Sequence, residues 1–548
     1  MKKIFYSLLI IIALAVYIIV YKTNLVAEPV FNSGQDIKVM IEGKEVMCDP
    51  MPINDEDEIF LDINTVKDYL KMDVLWDEEK KILVYCNNDE VIRIYYNTNE
   101  IKINRMTTTI NDILKMFEGT PIISSNFIHE YTDYKIKYIS ESKTYIIDKP
   151  NTAMNAKVLN GTRLRKEPSI WAKVVDKINS SSDIYVYKRY NKWSYIRDEK
   201  GYFGFIKNSD YKISKTEPQI REKKVSIDKK NDGELISITW DYIGRKQNKI
   251  GKLEKIEGLD VLCPTWFSVI DEKGKIYNKA SIEYSKEAHR VGYKVWGLVN
   301  NSFKPKLTSK ILNDTIIREK VINNIIDLAI IYELDGINID FENVYLKDKD
   351  MFTQFIKELY PICKEKDLKL SIDVTIKSKS ENWSMFYDRV ALGKVVDYMI
   401  LMAYDEHWAS SPTSGSVASL PWVERGLKNL LTMVDKEKVI LAVPFYTRLW
   451  EEEKQGVEVK VSSRALSMKR IEDILEKKEA EVKWDDDSKQ DYSEYIDGNS
   501  TYKVWLENEN SLKQRIDLVK KYKIKGLASW RKGFERKEMW NVIKETLK

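Results

Sequence analysis

Asp335-Gly336-Ile337-Asn338-Ile339-Asp340-Phe341-Glu342 is the stretch that decides the fold of the C-terminal half of this 548-residue chain. It alternates polar and apolar residues at the period of a β-strand, so Asn338, Asp340 and Glu342 share one face and Ile337, Ile339 and Phe341 the other. The apolar set suits packing against helices, and the polar set points into an interior. Two carboxylates on an inward face are costly unless they are paired or at work. Side by side they split their titrations, so one stays ionised while the other keeps a proton near neutral pH. That is the division of labour glycoside hydrolysis uses. The plainer alternative is a hydrogen-bonded polar layer.

Outward from this strand, strand-like segments alternate with helical patterns. The strands are expected at 235–242, 259–269, 293–300, 335–343, 369–375, 397–405, 438–446 and 525–530. Between them lie apolar faces such as Ile316, Ile317, Val321, Ile325 and Ala329. Eight strands alternating with helices predict an α/β fold, a (β/α)₈ TIM barrel over residues 232–548. Its chemistry is expected at the C-terminal ends of the strands. An α+β insertion of about 451–508 is expected in the seventh unit.

The fourth strand resembles the D-G-x-x-x-D-x-E signature of glycoside hydrolase family 18. Met402-Ala403-Tyr404-Asp405 is similar to that family's M-x-Y-D, Pro444-Phe445-Tyr446 ends the seventh strand, and Trp530 ends the eighth. "LDGINIDFENV", "LMAYDEHW", "SVASLPWV" and "PFYTRLW" look most like the spore-germination and cortex-lytic branch. The resemblance implies a retaining, substrate-assisted glycosidase that needs a 2-acetamido sugar. In that scheme Glu342 is proton donor and later base. Asp340 orients the acetamide and stabilises the oxazolinium charge, and Tyr404 binds the acetamide oxygen. Asp405, Trp530, Tyr446, Asn338 and Trp240 are expected at the substrate, with Asp241, Asn300, Asn301 and His407 as weaker candidates. No cofactor and no metal is implied. Asn338 departs from the chitinase pattern, which has Asp there. The neutral amide is expected to let Asp340 ionise more readily.

The implied substrate is β-linked N-acetylglucosamine-containing cell-wall glycan, peptidoglycan or spore cortex. The enzyme alternatives are a chitinase or an endo-N-acetylglucosaminidase. An inactive glycan-binding envelope protein, or a scaffold, also remains open.

Upstream, residues 153–212 alternate apolar and polar residues and resemble a bacterial SH3-like small barrel, a module that commonly binds cell-wall peptides. Trp193–Ile196 and Gly201–Phe205 carry that likeness; a spacer with an aromatic core is the other reading. Residues 36–150 repeat at a constant offset of 62. Val66, Tyr69, Val74, Trp76, Lys81 and Val84 match Ile128, Tyr131, Ile136, Tyr138, Lys143 and Ile146. This duplicated α+β module resembles the copper amine oxidase N-terminal-like stalk, without a histidine cluster for copper. A charged linker, 212–234, joins these parts to the barrel.

Lys2 and Lys3 precede an apolar run from Ile4 to Tyr21, about the length that spans a bilayer. Residues 1–30 are therefore expected to form a membrane anchor or a cleaved signal segment, with the rest outside the cytoplasm, membrane-anchored or secreted to the wall. Formal net charge is only +4, from 89 basic and 85 acidic residues, which argues against a nucleic-acid partner. Cys48, Cys86, Cys263 and Cys363 have no metal-ligand spacing. Cys48 and Cys86 either pair or stay as small buried residues, and three histidines make a zinc site improbable.

Overall fold

The computed structural model describes residues 37–55, 58–96, 98, 100–110, 112–214, 235–245 and 251–547. The apolar run 4–21 and most of the linker lie outside the described residues. Among the described residues no helix is long and apolar enough to cross a membrane, and all four cysteines are free thiols. Two compact units are distinguished. One takes the described residues up to 74, 94–99 and 109–214; the other takes 75–93, 100–108 and the chain from 235 onward.

The 62-residue repeat, whose first copy runs from the first unit into the second at residue 75, has a physical basis in its caps. Asp62 caps helix Ile63–Asp68 by accepting from the Thr65 N–H, and Ser124 caps Ser125–Tyr131 by accepting from Phe127. Each helix precedes a hairpin whose turn holds a left-handed lysine, Lys81 at φ 54° and Lys143 at φ 49°. The copies then diverge. Thr144–Asp148 pairs in parallel with Lys38–Ile41, whereas Val74–Asp77 and Ile82–Cys86 begin a five-stranded meander that ends at Met106–Thr109. Residues 154–213 form a separate seven-stranded antiparallel sheet around Leu164, Ile184, Ile196 and Ile206. Gly204 is required there, since a Cβ would lie 2.5 Å from the Arg165 carbonyl.

In the second unit, eight strands form a closed parallel barrel. They are β1 (Ile236–Asp241), β2 (Val261–Pro264), β3 (Lys294–Asn300), β4 (Gly336–Asp340), β5 (Lys369–Thr375), β6 (Tyr398–Met402), β7 (Val439–Pro444) and β8 (Gly526–Trp530). Each pairs with the next, and β8 pairs back to β1. The interior holds Ile238, Trp240, Cys263, Trp296, Leu298, Tyr398, Ile400 and Ala528, a packed core rather than a pore. Gly336 opens β4 because a Cβ there would meet Trp296 at 2.7 Å. Outside β4, Phe341 stacks on Phe352 and Phe355 of helix α2 (Lys349–Glu365), which packs beside α1 (Thr315–Ile331).

Two expectations need correction. The segment 259–269 is not one strand; it breaks after Val261–Pro264 and resumes at Phe267–Val269, where Pro264 lacks the N–H a continuous ladder needs. The insertion starts earlier than 451. A ten-residue strand leaves β7 at Tyr446 and runs to Gln455, opening a five-stranded antiparallel sheet that ends at Trp505. Its core is Leu449, Val504 and Leu506 against Ile471 and Leu475 of helix Met468–Lys477.

Candidate active site

The strand-four residues converge at the barrel mouth. β4 ends at Asp340, and Glu342 lies just beyond it. The Asn301 side chain holds Glu342 in line, as a strand partner would. Its Nδ2 donates to the Glu342 carbonyl at 2.7 Å and its Oδ1 accepts from the Glu342 N–H at 3.1 Å. Tyr387 Oη donates to the Phe341 carbonyl at 2.9 Å. The period-two alternation is thereby kept past the last ladder bond.

Asp340 and Glu342 are hydrogen-bonded to each other. Burial pushes Asp340 up to about 7 against the lowering effect of that bond. Burial also carries Glu342 well above its ordinary value, helped by the charges of Asp340 and Asp405. Asp340 Oδ1 is buried without a hydrogen-bond partner. Tyr404 and Tyr446 meet edge to face at 6.3 Å, and burial raises both hydroxyls, so both remain donors. Asp405 sits at φ 62° and accepts from Tyr446 Oη at 2.5 Å and Arg448 Nη2 at 2.9 Å. Trp530, half-buried, meets Trp240 at 5.8 Å and 61°.

Two candidates for substrate contact lie too deep. Asn338 is 0% exposed and Trp240 1%, and Trp240 Nε1 donates to Asn338 Oδ1 at 3.0 Å. Both sit beneath the mouth, with their polar atoms committed to each other. The expected easier ionisation of Asp340 is also corrected. Asn338 does remove a carboxylate from β4, but burial still pushes Asp340 up; Asn338 Nδ2 donates instead to Asp373 on β5 at 2.8 Å. Among the weaker candidates, Asp241 is committed to Lys532 and Tyr284, Asn300 caps the backbone of Ser302, and His407 Nδ1 contacts the Ser416 carbonyl at 2.9 Å.

Residues 268–534, which hold all of these groups except Trp240 and Asp241, match the family model of glycosyl hydrolases family 18. The barrel belongs to glycosyl hydrolases family 18. It is a glycosidase domain. Residues 40–147 match the copper amine oxidase N-terminal domain.

The family 18 barrel carries the likeness to known proteins. Over 290 residues the chain is 27% identical to the uncharacterized glycosylase YvbX of Bacillus subtilis (strain 168), covering 51% of this chain and 82% of YvbX. It is 23% identical over 265 residues to the cortical fragment-lytic enzyme of the same organism, covering 46% of this chain and 61% of that one, less than two thirds of its length. The crystal structure of the spore cortex-lytic enzyme SleL of Bacillus megaterium QM B1551 shares the fold. The TM-score is 0.52 at 20% identity, over 57% of this chain and 74% of that one.

Sequence reading missed four exposed aromatic side chains at the C-terminal ends of the family 18 barrel's strands. Tyr242 follows β1, Phe303 β3, Trp383 β5 and Trp408 β6. Exposed rings in a ring around a mouth carry no periodic signal. Arg448, the counter-charge to Asp405, was likewise hidden in the inserted strand.

Proposed function

We propose that the family 18 barrel cleaves β-linked N-acetylglucosamine-containing cell-wall glycan, peptidoglycan or spore cortex, by a retaining, substrate-assisted reaction. The observation that carries this reading is the Asp340–Glu342 pair at the mouth of the barrel, hydrogen-bonded to each other and both raised by burial. Glu342 protonates the glycosidic oxygen as the bond to the anomeric carbon breaks. The substrate's own acetamido oxygen attacks that carbon and forms an oxazolinium ion. Asp340 Oδ1, a buried acceptor without a protein donor, takes the acetamide N–H, and Tyr404 Oη donates to the acetamide oxygen. The Glu342 carboxylate then deprotonates the incoming water, which opens the ring with overall retention. Trp530 stacks on the sugar, and Asp405, held by Tyr446 and Arg448, binds a hydroxyl beside it.

The cortical fragment-lytic and cortex-lytic relatives support a wall glycan as substrate, as do the four rim aromatics, which suit an extended chain. In this reading the chain is divided at 1–30 (membrane anchor or signal), 36–150 (stalk), 153–212 (SH3-like wall-binding module) and 232–548 (catalytic barrel). The enzyme works outside the cytoplasm, tethered to the membrane or held in the wall.

The test is digestion of purified peptidoglycan with mass analysis of the products, repeated on de-N-acetylated material. Hydrolysis is expected only where the cleaved residue keeps its acetamido group, and a thiazoline analogue of the cyclised intermediate is expected to inhibit. Efficient hydrolysis of the de-N-acetylated glycan would instead indicate a protein nucleophile.

A further inference from the structure

Asp373 is a buried carboxylate that the reaction above does not use. It follows Ser371 by two residues on β5, so both side chains face the interior. Asn338 lies opposite Ser371 and Ile339 opposite Ile372, which sets Asp373 beside Asp340 across the parallel pair. Asp373 is 2% exposed. The amide of Asn338 joins the two strands in one orientation. Its Nδ2 donates to Asp373 Oδ1 at 2.8 Å and Ser371 Oγ at 3.0 Å. Its Oδ1 accepts from Trp240 Nε1 at 3.0 Å and from Cys263 Sγ at 3.5 Å. A flipped amide would oppose N–H to indole N–H and carbonyl to carboxylate.

The titratable groups around Asp373 are acidic or neutral. Asp340 and Glu342 come from β4 and the residues after it, Cys263 from β2, Tyr404 from the end of β6, and Tyr387 from the segment before helix Arg389–Val395. Arg389, beside Tyr387, spends its N–H groups on the Ser384, Tyr387 and Thr375 carbonyls and on Ser384 Oγ. Among the described residues no cation therefore offsets the burial of three neighbouring carboxyl groups.

We propose that Asp373 is a positioning residue of the active site: it orients the Asn338 amide beneath Asp340 and, as third member of a carboxyl cluster, helps keep the proton on Glu342. Three carboxyl groups in one desolvated space titrate as a set, because each negative charge opposes the next. Asp373 Oδ1 faces an N–H, so a proton taken up by its carboxyl sits on Oδ2. Burial and the Asp340 charge raise it, against the Asn338 hydrogen bond. The carboxylate absent from position 338 thus acts from the neighbouring strand.

This inference rests on Glu342 as the proton donor, and the experiment separates the two. The pH dependence of kcat/KM on purified peptidoglycan is measured for the full chain and for Asp373→Asn, which keeps the shape and removes the charge. Fewer negative charges let Glu342 release its proton sooner, so the alkaline limb is expected to move to lower pH by about one unit. The exchange Asn338→Asp/Asp373→Asn returns a carboxyl to the layer and is expected to move the limb back, which a purely structural role would not do. An unmoved limb in folded Asp373→Asn overturns the inference. If that variant does not fold, Asn338→Asp decides, since a further carboxyl is expected to move the limb upward and an unmoved limb overturns the inference. Glu342→Gln is assayed alongside. Near-normal turnover there removes the donor itself, whereas an inactive Glu342→Gln with an unmoved limb removes only the role of Asp373.

Discussion

Two clusters of buried carboxylates in the barrel unit behave oppositely. Glu358, on α2, is 0% exposed. Burial pushes its carboxyl up, but the guanidinium groups of Arg318 and Arg93, with the Gln354 hydrogen bond, more than offset this and hold it below its ordinary value. Arg318 lies at 2.8 Å and Arg93 at 2.6 Å. Asp373 and Asp340 are buried and Glu342 is half-buried; among the described residues none has such a partner, and all three are raised. Glu507 stands between the two cases. Burial still raises it although Arg515 approaches to 2.6 Å, so here one arginine does not offset burial and at Glu358 two do. Burial alone therefore says little about function. A buried acid left without a cation marks the place where a proton is kept for use.

The comparison breaks most visibly at Glu358. Glu358→Ala removes the carboxylate that two buried guanidinium groups share, leaving Arg93 only Glu319 at 3.9 Å, and is expected to lose about 3–5 kcal/mol in urea unfolding. A loss within experimental error would mean that the pair adds nothing. Turnover of the protein that remains folded is expected to be unchanged.

A second effect has opposite signs in the two clusters. The folded pKa of Glu358 is lowered, so its stabilising contribution is present above its unfolded pKa and lost as pH falls through the folded value. The folded pKa of Asp340 is raised to about 7, so its contribution is present below its unfolded pKa, near 4, and lost as pH rises through 7. Thermal melts of Asp340→Asn against the unaltered protein are expected to diverge from pH 4 to pH 8, with the variant more stable at pH 8. A constant difference across that range would contradict the raised carboxyl.

Smaller again is the effect of Trp530→Ala on catalysis, roughly tenfold in kcat/KM, about 1.4 kcal/mol. The loss is expected mainly in turnover if the ring orients the sugar and mainly in KM if it only binds it. The least is expected where a pair is exposed. Arg105→Ala breaks the surface contact to Asp327 at 2.5 Å and is expected to change stability by less than about 1 kcal/mol.

What could be read in advance followed local periodicity. The alternation from Asp335 to Glu342 yields both the strand and the shared face, and the 62-residue offset yields two helix–hairpin copies whose caps, Asp62 and Ser124, share that offset. Asp373 was within reach of the same logic, because Ser371 and Asp373 alternate as Asn338 and Asp340 do. What hid it was the need to know that β5 lies beside β4 in register. The Arg93–Glu358 contact, 265 residues apart in sequence, left no local trace, and neither did the bracketing of Glu342 by Asn301. The early start of the insertion was hidden because Tyr446–Trp450 is as buried as the end of a barrel strand.

The most direct test of the uncompensated acid cluster as the catalytic centre is one variant, Glu342→Gln, assayed on purified peptidoglycan and melted at the same pH. Turnover is expected to fall at least about 10²-fold, while the melting temperature at pH 8 stays level or rises because a raised carboxyl has been removed. Near-normal turnover in the folded variant would contradict the account.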